Sequence, residues 1–200
     1  LKLGVHSENI YIGIDWLESV AFEHAKSIGE KVLIIGVGNT AMDCCRTSLR
    51  LHAKDVKVMA RKPRAFFKSS DWELEDAEEE QVEILINHSP KEFVVEDGKL
   101  IGMKFDQMEY KIDDEGNIDR GSAVGEVFIH CDDVILAIGQ ENAFPWIERD
   151  IGIEFNEWDC PIVDETTMMC SREGVFFGGD AAFGPKNIIW GVAHGHEAAI

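Results

Sequence analysis

The segment Gly36-Val37-Gly38-Asn39-Thr40-Ala41 has the clearest chemical use in this 200-residue chain. Gly36 permits a tight turn out of a strand, and Gly38 leaves the backbone bare enough for a pyrophosphate to approach. A small residue at Ala41 lets the following helix pack close to that strand. An anion on the 36–40 turn, which includes Asn39 and Thr40, would rest on unpaired N–H groups at the positive end of a helix. The pattern points to a dinucleotide, with an incidental glycine turn as the alternative. Further along, Arg61, Lys62, Arg64 and Lys68 set four cations within eight residues of a chain holding 38 acids and 19 Lys and Arg. An NAD site usually carries Asp or Glu there to hold the ribose 2′-hydroxyl. A guanidinium fork instead suits a 2′-phosphate, so these residues favour NADPH over NADH, solvated loop charge being the alternative.

No catalytic acid or base accompanies that site. A stand-alone short-chain dehydrogenase needs Tyr-x-x-x-Lys, whereas Tyr11 meets Asp15 and Tyr110 meets Asp114 at that spacing. His194 and His196 point to different faces of a helix, which suits surface or packing roles better than metal ligation. Cys44, Cys45, Cys131, Cys160 and Cys170 are scattered, with no C-x-x-C and no zinc spacing. They read as free, buried thiols in a reducing cytoplasm. The chain therefore has no dithiol to accept electrons and no cysteine set for an iron–sulfur cluster. A nucleotide site without its own acid or base suits an enzyme in which a flavin does the chemistry.

Composition narrows the classes further. A net charge of −19 argues against nucleic-acid or anionic-membrane binding. No apolar run approaches the ~18 residues of a membrane helix. The chain starts at Leu1 with no signal stretch, which suggests a piece of a longer protein.

These groups must be positioned by an α/β framework. Residues 1–13 read as a connector. A helix is expected over 15–26 with Asp15 as its N-cap and Gly29 beyond its end. A buried strand over 31–35, a helix over 39–51 and a strand over 56–60 make one βαβ unit with a right-handed crossover. Residues 71–80 carry seven acids in ten, read as a solvated helix with Trp72, Leu74 and Ala77 inward rather than as a docking face. A third strand is expected over 82–86. An antiparallel meander over 91–131 follows, with Asp97-Gly98 as a hairpin turn and a loop over 113–117. Residues 133–138 return to a buried strand. Beyond Pro145, short strands are expected near 151–155 and 162–163, then a helix over 187–200. So short a tail cannot close its own doubly wound core, and must complete a domain whose other half lies outside this chain.

KVLIIGVGNTAMDCCR at 31–46 resembles the NADPH motif of the glutamate synthase small-subunit family of NADPH/FAD oxidoreductases, and of the flavin half of dihydropyrimidine dehydrogenase. The likeness continues through ARK at 60–62, DDVILAIGQ at 132–140 and EGVFFGGDAAFGPKNIIWGVAHGHEAAI at 173–200. The last resembles the second FAD motif of two-dinucleotide-domain flavoproteins. In that motif an Asp at the place of Asp180, after Gly179, hydrogen-bonds the ribityl chain, and backbone at Asn187, Ile188 and Ile189 faces the flavin's pyrimidine edge. The resemblance also implies that Gly139 and Gln140 border the nicotinamide. The family's first FAD motif and its iron–sulfur cysteines have no counterpart here. Val37, where the family often has Gly, and the spacer 183–186 are departures.

The fold implied is α/β: a Rossmann-like three-layer NAD(P)-binding domain with an inserted antiparallel β-meander, plus the C-terminal part of an FAD-binding domain. The implied division is 1–25 as connector from the missing FAD half, 26–145 as NADPH domain and 146–200 as FAD-domain segment. The implied function is hydride transfer from NADPH to FAD, then onward to iron–sulfur centres lying in the missing N-terminal part or in a partner. A ferredoxin or an iron–sulfur subunit would be the acceptor, and the acidic surface suits a docked subunit at least as well as an acidic ferredoxin. The isolated chain would be colourless and inactive. The alternatives are a non-catalytic NADP(H)-binding regulatory module, which leaves Gly179-Asp180 unexplained, and a stand-alone NADP-dependent dehydrogenase.

Overall fold

The computed structural model describes residues 8–67, 69–139 and 143–200. Contacts divide the chain at Gly139 into two compact units. In the first unit the order is β1 (Ile10–Ile12), α1 (Gly13–Ala21), β2 (Lys31–Ile35), α2 (Asn39–Arg50), β3 (Asp55–Met59), α3 (Asp71–Glu79), β4 (Glu83–Leu85), β5 (His88–Glu96), β6 (Lys99–Glu109), β7 (Ser122–His130) and β8 (Asp133–Leu136). Strands β1-β8-β2-β3-β4 form a parallel sheet in that order, and β5-β6-β7 form a separate antiparallel sheet.

Alternation along the central strands assigns each side chain to a layer. Val32, Ile34, Val58 and Ile135 face one way, onto Trp16 of α1, Met42 and Cys45 of α2, and Leu74 and Ala77 of α3. Leu33, Ile35, Met59 and Val134 face the other way, onto Phe93, Leu100, Met103 and Phe105 of the meander. The result is helices, parallel sheet, antiparallel sheet: three layers with the meander inserted between β4 and β8, as expected. The Asp97-Gly98 turn has positive φ at both residues, 50° and 79°, matching the right-handed twist of the β5–β6 hairpin.

Three local expectations are corrected. Strand β1 lies within the segment read as a connector; its pairing to Val134–Leu136 leads directly into Gly13, so α1 starts there with Ile12 as an uncapped N-cap rather than Asp15. That helix ends at Ala21, and Glu23 then turns through a left-handed φ of 59°. Trp72 is 62% exposed and does not pack inward. Leu74 and Ala77 fill that face, and Glu73 turns in beside them because the Ser70 hydroxyl donates to its Oε2 at 2.6 Å.

The second unit has little regular structure before its helices α4 (Asp180–Phe183) and α5 (Ile188–Ala198). The strands expected near 151–155 and 162–163 are only isolated bridges, Phe155 to Pro161 and Val163 to Cys170. Side-chain-capped turns take up the backbone instead. Asn156 Oδ1 accepts the N–H groups of Trp158 and Cys160, and Asp164 Oδ1 those of Thr166 and Thr167. Ile147, Ile153 and Cys170 form its small core with Phe144, Phe155 and Phe177.

All five cysteines are buried, and none is in a disulfide. Burial pushes the thiols of Cys44, Cys45 and Cys131 up to about 12. At pH 8 the thiolate fraction is then on the order of one in ten thousand. Iodoacetamide at pH 8 should therefore leave these three unmodified in native protein and alkylate all five in urea. Rapid native labelling at Cys44, read by peptide mass, would contradict the buried environment.

Candidate functional site

The glycine turn sits where the C-terminal ends of β2, β3 and β8 meet. The Gly36 N–H donates to Met59 O at 3.2 Å, and Ala137 N–H donates to Ile35 O at 2.8 Å. Gly36 has a φ of +124°, and a Cβ there would stand 2.2 Å from Ala137 O, so only glycine fits. Gly38 differs: it is extended, caps α2, and a Cβ on it would meet nothing within 4 Å. Its carbonyl takes the N–H groups of Ala41 and Met42 at 2.9 and 3.2 Å. No side chain caps α2 and no acid lies in its first turn, which leaves the backbone at Asn39 and Thr40 open to an anion. Ala41 is wholly buried, the close helix–strand contact its small size allows.

The basic loop that follows β3 is tied at both ends. Ala60 N–H donates to Leu85 O, and Ser69 N–H donates to Val37 O at 3.3 Å, which sets the far end of the loop on the glycine turn. Arg64 forms a forked ion pair with Glu78 of α3, Nη2 to Oε2 at 3.0 Å. That guanidinium holds the Glu78 carboxyl below its ordinary range. Arg61 and Lys62 are in no ion pair among the described residues. They line a cleft of about 640 Å³ with Ser89, Met108, Tyr110, Ile118, Asp119 and Arg120. Gly139, with a φ of +108° and open space where a Cβ would be, follows β8 on the same sheet edge as Gly36.

In the second unit, Gly179 adopts φ 59° and ψ −145°, a region essentially restricted to glycine. Its N–H donates to Nδ1 of His194 at 2.9 Å, and His194 is only 8% exposed. A Cβ on Gly178 would lie 2.7 Å from the Cβ of His194, so the two glycines lie flush against α5. Asp180 Oδ1 accepts the Lys186 N–H at 3.2 Å, which draws the starts of α4 and α5 together. Asn187 caps α5 without a side-chain hydrogen bond, and Ile188 and Ile189 are 87% and 75% exposed.

A profile of the pyridine nucleotide-disulphide oxidoreductases matches residues 2–195. The chain belongs to that family. Its curated relatives include the glutamate synthase [NADPH] small chain of Azospirillum brasilense, 30% identical over 96% of this chain and 40% of the relative. The NADP(+)-dependent formate dehydrogenase subunit beta of Moorella thermoacetica is 34% identical over 94% of this chain and 27% of the relative. The NADPH-Fe(3+) oxidoreductase subunit beta of Geobacter sulfurreducens is 29% identical over 94% of this chain and 31% of the relative. The chain thus spans well under half the length of each of these relatives, and the resemblance to glutamate synthase small chains holds. Among solved structures, T. acidophilum thioredoxin reductase superposes with a TM-score of 0.72 at 20% identity, covering 100% of this chain and 60% of that one. FprA from Mycobacterium tuberculosis in complex with NADPH gives 0.68 at 14% identity, covering 99% and 59%. These likenesses show the fold.

On this oxidoreductase fold, Gly36, Gly38, Asn39, Thr40, Arg61, Lys62 and Gly139 belong to the first unit, at the carboxyl edge of its parallel sheet. Gly179, Asp180, Asn187, Ile188 and Ile189 gather in the second. Lys68 and Gln140 lie outside the described residues. Sequence reading missed Tyr110 and Arg120. No motif marks them, since they belong to the loop between β6 and β7, far along the chain from Arg61. It also left His194 without a partner, and the packed Gly178-Gly179 pair was the only clue to one.

Proposed function

We propose that this chain is the NADPH-binding part of an FAD-containing oxidoreductase, together with the closing segment of its FAD domain. The supporting observation is the Ser69–Val37 hydrogen bond, which fixes a loop bearing Arg61 and Lys62, in no ion pair among the described residues, against an open glycine turn. The pyrophosphate fits Gly36, Gly38 and the N–H groups at Asn39 and Thr40, because Gly38 leaves the space a Cβ would take. The 2′-phosphate falls to Arg61 and Lys62, and Gly139 borders the nicotinamide.

The second unit also suits a flavin. Asp180 is exposed with one oxygen engaged by Lys186, and the uncapped start of α5 offers N–H groups at Ile188 and Ile189. These residues would hold the ribityl chain and place a positive helix end beside the ring's pyrimidine edge. The flavin, when bound, would accept hydride from the nicotinamide. This chain's residues named here bind and orient the two cofactors.

Relatives named as beta subunits support a partner subunit that takes the electrons onward, through an iron–sulfur centre or a ferredoxin-like protein. We place the protein in the cytoplasm on its five cysteines, none of which is in a disulfide. Among the described residues, no helix is long and apolar enough to cross a membrane.

Calorimetric titration with NADPH and with NADH tests the reading. NADPH should bind at least about tenfold more tightly, ~1.4 kcal/mol, and Arg61→Ala should erase most of the difference. Equal affinity for the two would make the Arg61 cluster ordinary surface charge and overturn the assignment.

A further inference from the structure

We propose that Arg120, on the loop joining β6 to β7, is a further specificity-determining cation for the adenosine 2′-phosphate. In this proposal Tyr110 is the positioning residue that holds Arg120 opposite Arg61. The proposal rests on the NADPH reading above. It comes from a wall of the cleft that neither the glycine turn nor the basic loop supplies.

The lining comes from two parts of the chain: Arg61 and Lys62 of the basic loop, and Met108, Tyr110, Ile118, Asp119 and Arg120 of the β6 end and the loop after it, together with Ser89 of β5. Its volume of about 640 Å³ lies within the range of roughly 300–1,000 Å³ that small-molecule sites occupy. Met108 and Ile118 provide apolar surface for a base, and the three cations provide charge for a phosphate. Among the described residues Arg120 has no carboxylate partner, although acids outnumber Lys and Arg two to one. Arg64, by contrast, has been claimed by Glu78.

The two stretches are joined by a side-chain-to-backbone hydrogen bond. The Tyr110 hydroxyl donates to Arg61 O at 2.5 Å, linking the end of β6 to the start of the basic loop. Gly121, with a φ of +70°, lies flat on the Tyr110 ring, where a Cβ would stand 2.5 Å from Cε1. Asp119 Oδ1 accepts the N–H groups of Lys111 and Gly121 at 3.0 and 2.9 Å, closing the turn that carries Arg120. Asp119 is the one carboxylate lining the cleft, and those two backbone donors occupy the same oxygen. The Tyr110 hydroxyl thus ties the loop that carries Arg120 to the backbone of Arg61.

The test is calorimetric titration of the 200-residue chain with adenosine 2′,5′-bisphosphate and with 5′-AMP. The bisphosphate should bind more tightly. Arg120→Ala should weaken it by about tenfold and leave 5′-AMP unchanged, with Arg120→Lys recovering part of the loss. Tyr110→Phe should lower the bisphosphate-to-AMP affinity ratio without moving the thermal midpoint, a change that loss of fold would not produce. If Arg61→Ala weakens the bisphosphate and Arg120→Ala does not, the proposal for Arg120 is overturned while the NADPH reading stands. If the unmodified chain binds both nucleotides equally, the NADPH reading falls and this proposal with it.

Discussion

Gly36→Ala should destabilise the first unit by about 3 kcal/mol or more, a large share of a typical domain's ~5–15 kcal/mol. Two costs add. The φ of +124° is strained for any L side chain, and the new methyl would start 2.2 Å from Ala137 O and 2.8 Å from Ala137 C. Both of those atoms are backbone at the end of β8, so no rotamer change relieves the overlap. Either β2 and β8 part at their carboxyl ends, breaking the 2.8 Å bond from Ala137 N–H to Ile35 O, or the glycine turn reopens. Urea unfolding should show a much lower midpoint with an unchanged slope. Gly38→Ala is the informative contrast: with nothing within 4 Å, it should leave stability almost untouched and reduce NADPH affinity. A Gly36→Ala protein as stable as the parent would mean that the turn does not approach β8 as described.

Asp133→Ala should be the next most damaging change, at about 2–4 kcal/mol. This carboxylate is 3% exposed at the opposite end of the same sheet. It accepts the Gly29 N–H at 2.5 Å and Asn9 Nδ2 at 2.8 Å, so alanine would leave two donors unmet. Asp133→Asn should recover no more than part of the loss, because its amide NH₂ must face one of those donors. A second readout comes from Tyr11. Burial pushes its phenol pKa up, and the Asp133 carboxylate adds to the shift by opposing a second negative charge. Removing Asp133 should therefore let Tyr11 ionise at lower pH, visible as an earlier rise in phenolate absorbance on alkaline titration. An unchanged Tyr11 titration would sink this account of the pair.

The parts of this molecule legible in its sequence are those where a few adjacent residues meet a rigid demand. Lys31–Ile35 is a short apolar run that reads as a buried strand, and Gly36 then meets a demand of the turn that only glycine satisfies. Asp97-Gly98 announces a hairpin for the same reason. Ile10–Ile12 carried no such sign, because a three-residue strand has no period and its partner Val134 is set by tertiary structure. Trp72 misled because an aromatic on an acidic helix looks like its core residue, whereas the smaller Leu74 and Ala77 fill that face. At the candidate site, the cluster of cations that includes Arg61 and Lys62 was legible from residue type in an acidic chain. That Arg64 is spent on Glu78 was not, and neither was the arrival of Tyr110 and Arg120 from the meander. Both depend on which loops the sheet brings side by side.

The strand order β1-β8-β2-β3-β4 has a consequence for a chain emerging from the ribosome. Once β4 has left the exit tunnel, β2, β3 and β4 can pair, and the helices can begin to cover one face. Strand β1, made before them, has no edge of this sheet to join yet, since among the described residues its partner there is β8. The entire β5–β7 meander must be synthesised before β8 can slot in against β2 and receive β1 on its free side. During that interval β2 shows an unpaired edge of Val, Leu and Ile to solvent, and β1 is not yet paired in the sheet. The growing chain is therefore most exposed to mispairing and chaperone capture while the meander is being translated, and the arrival of β8 closes the sheet.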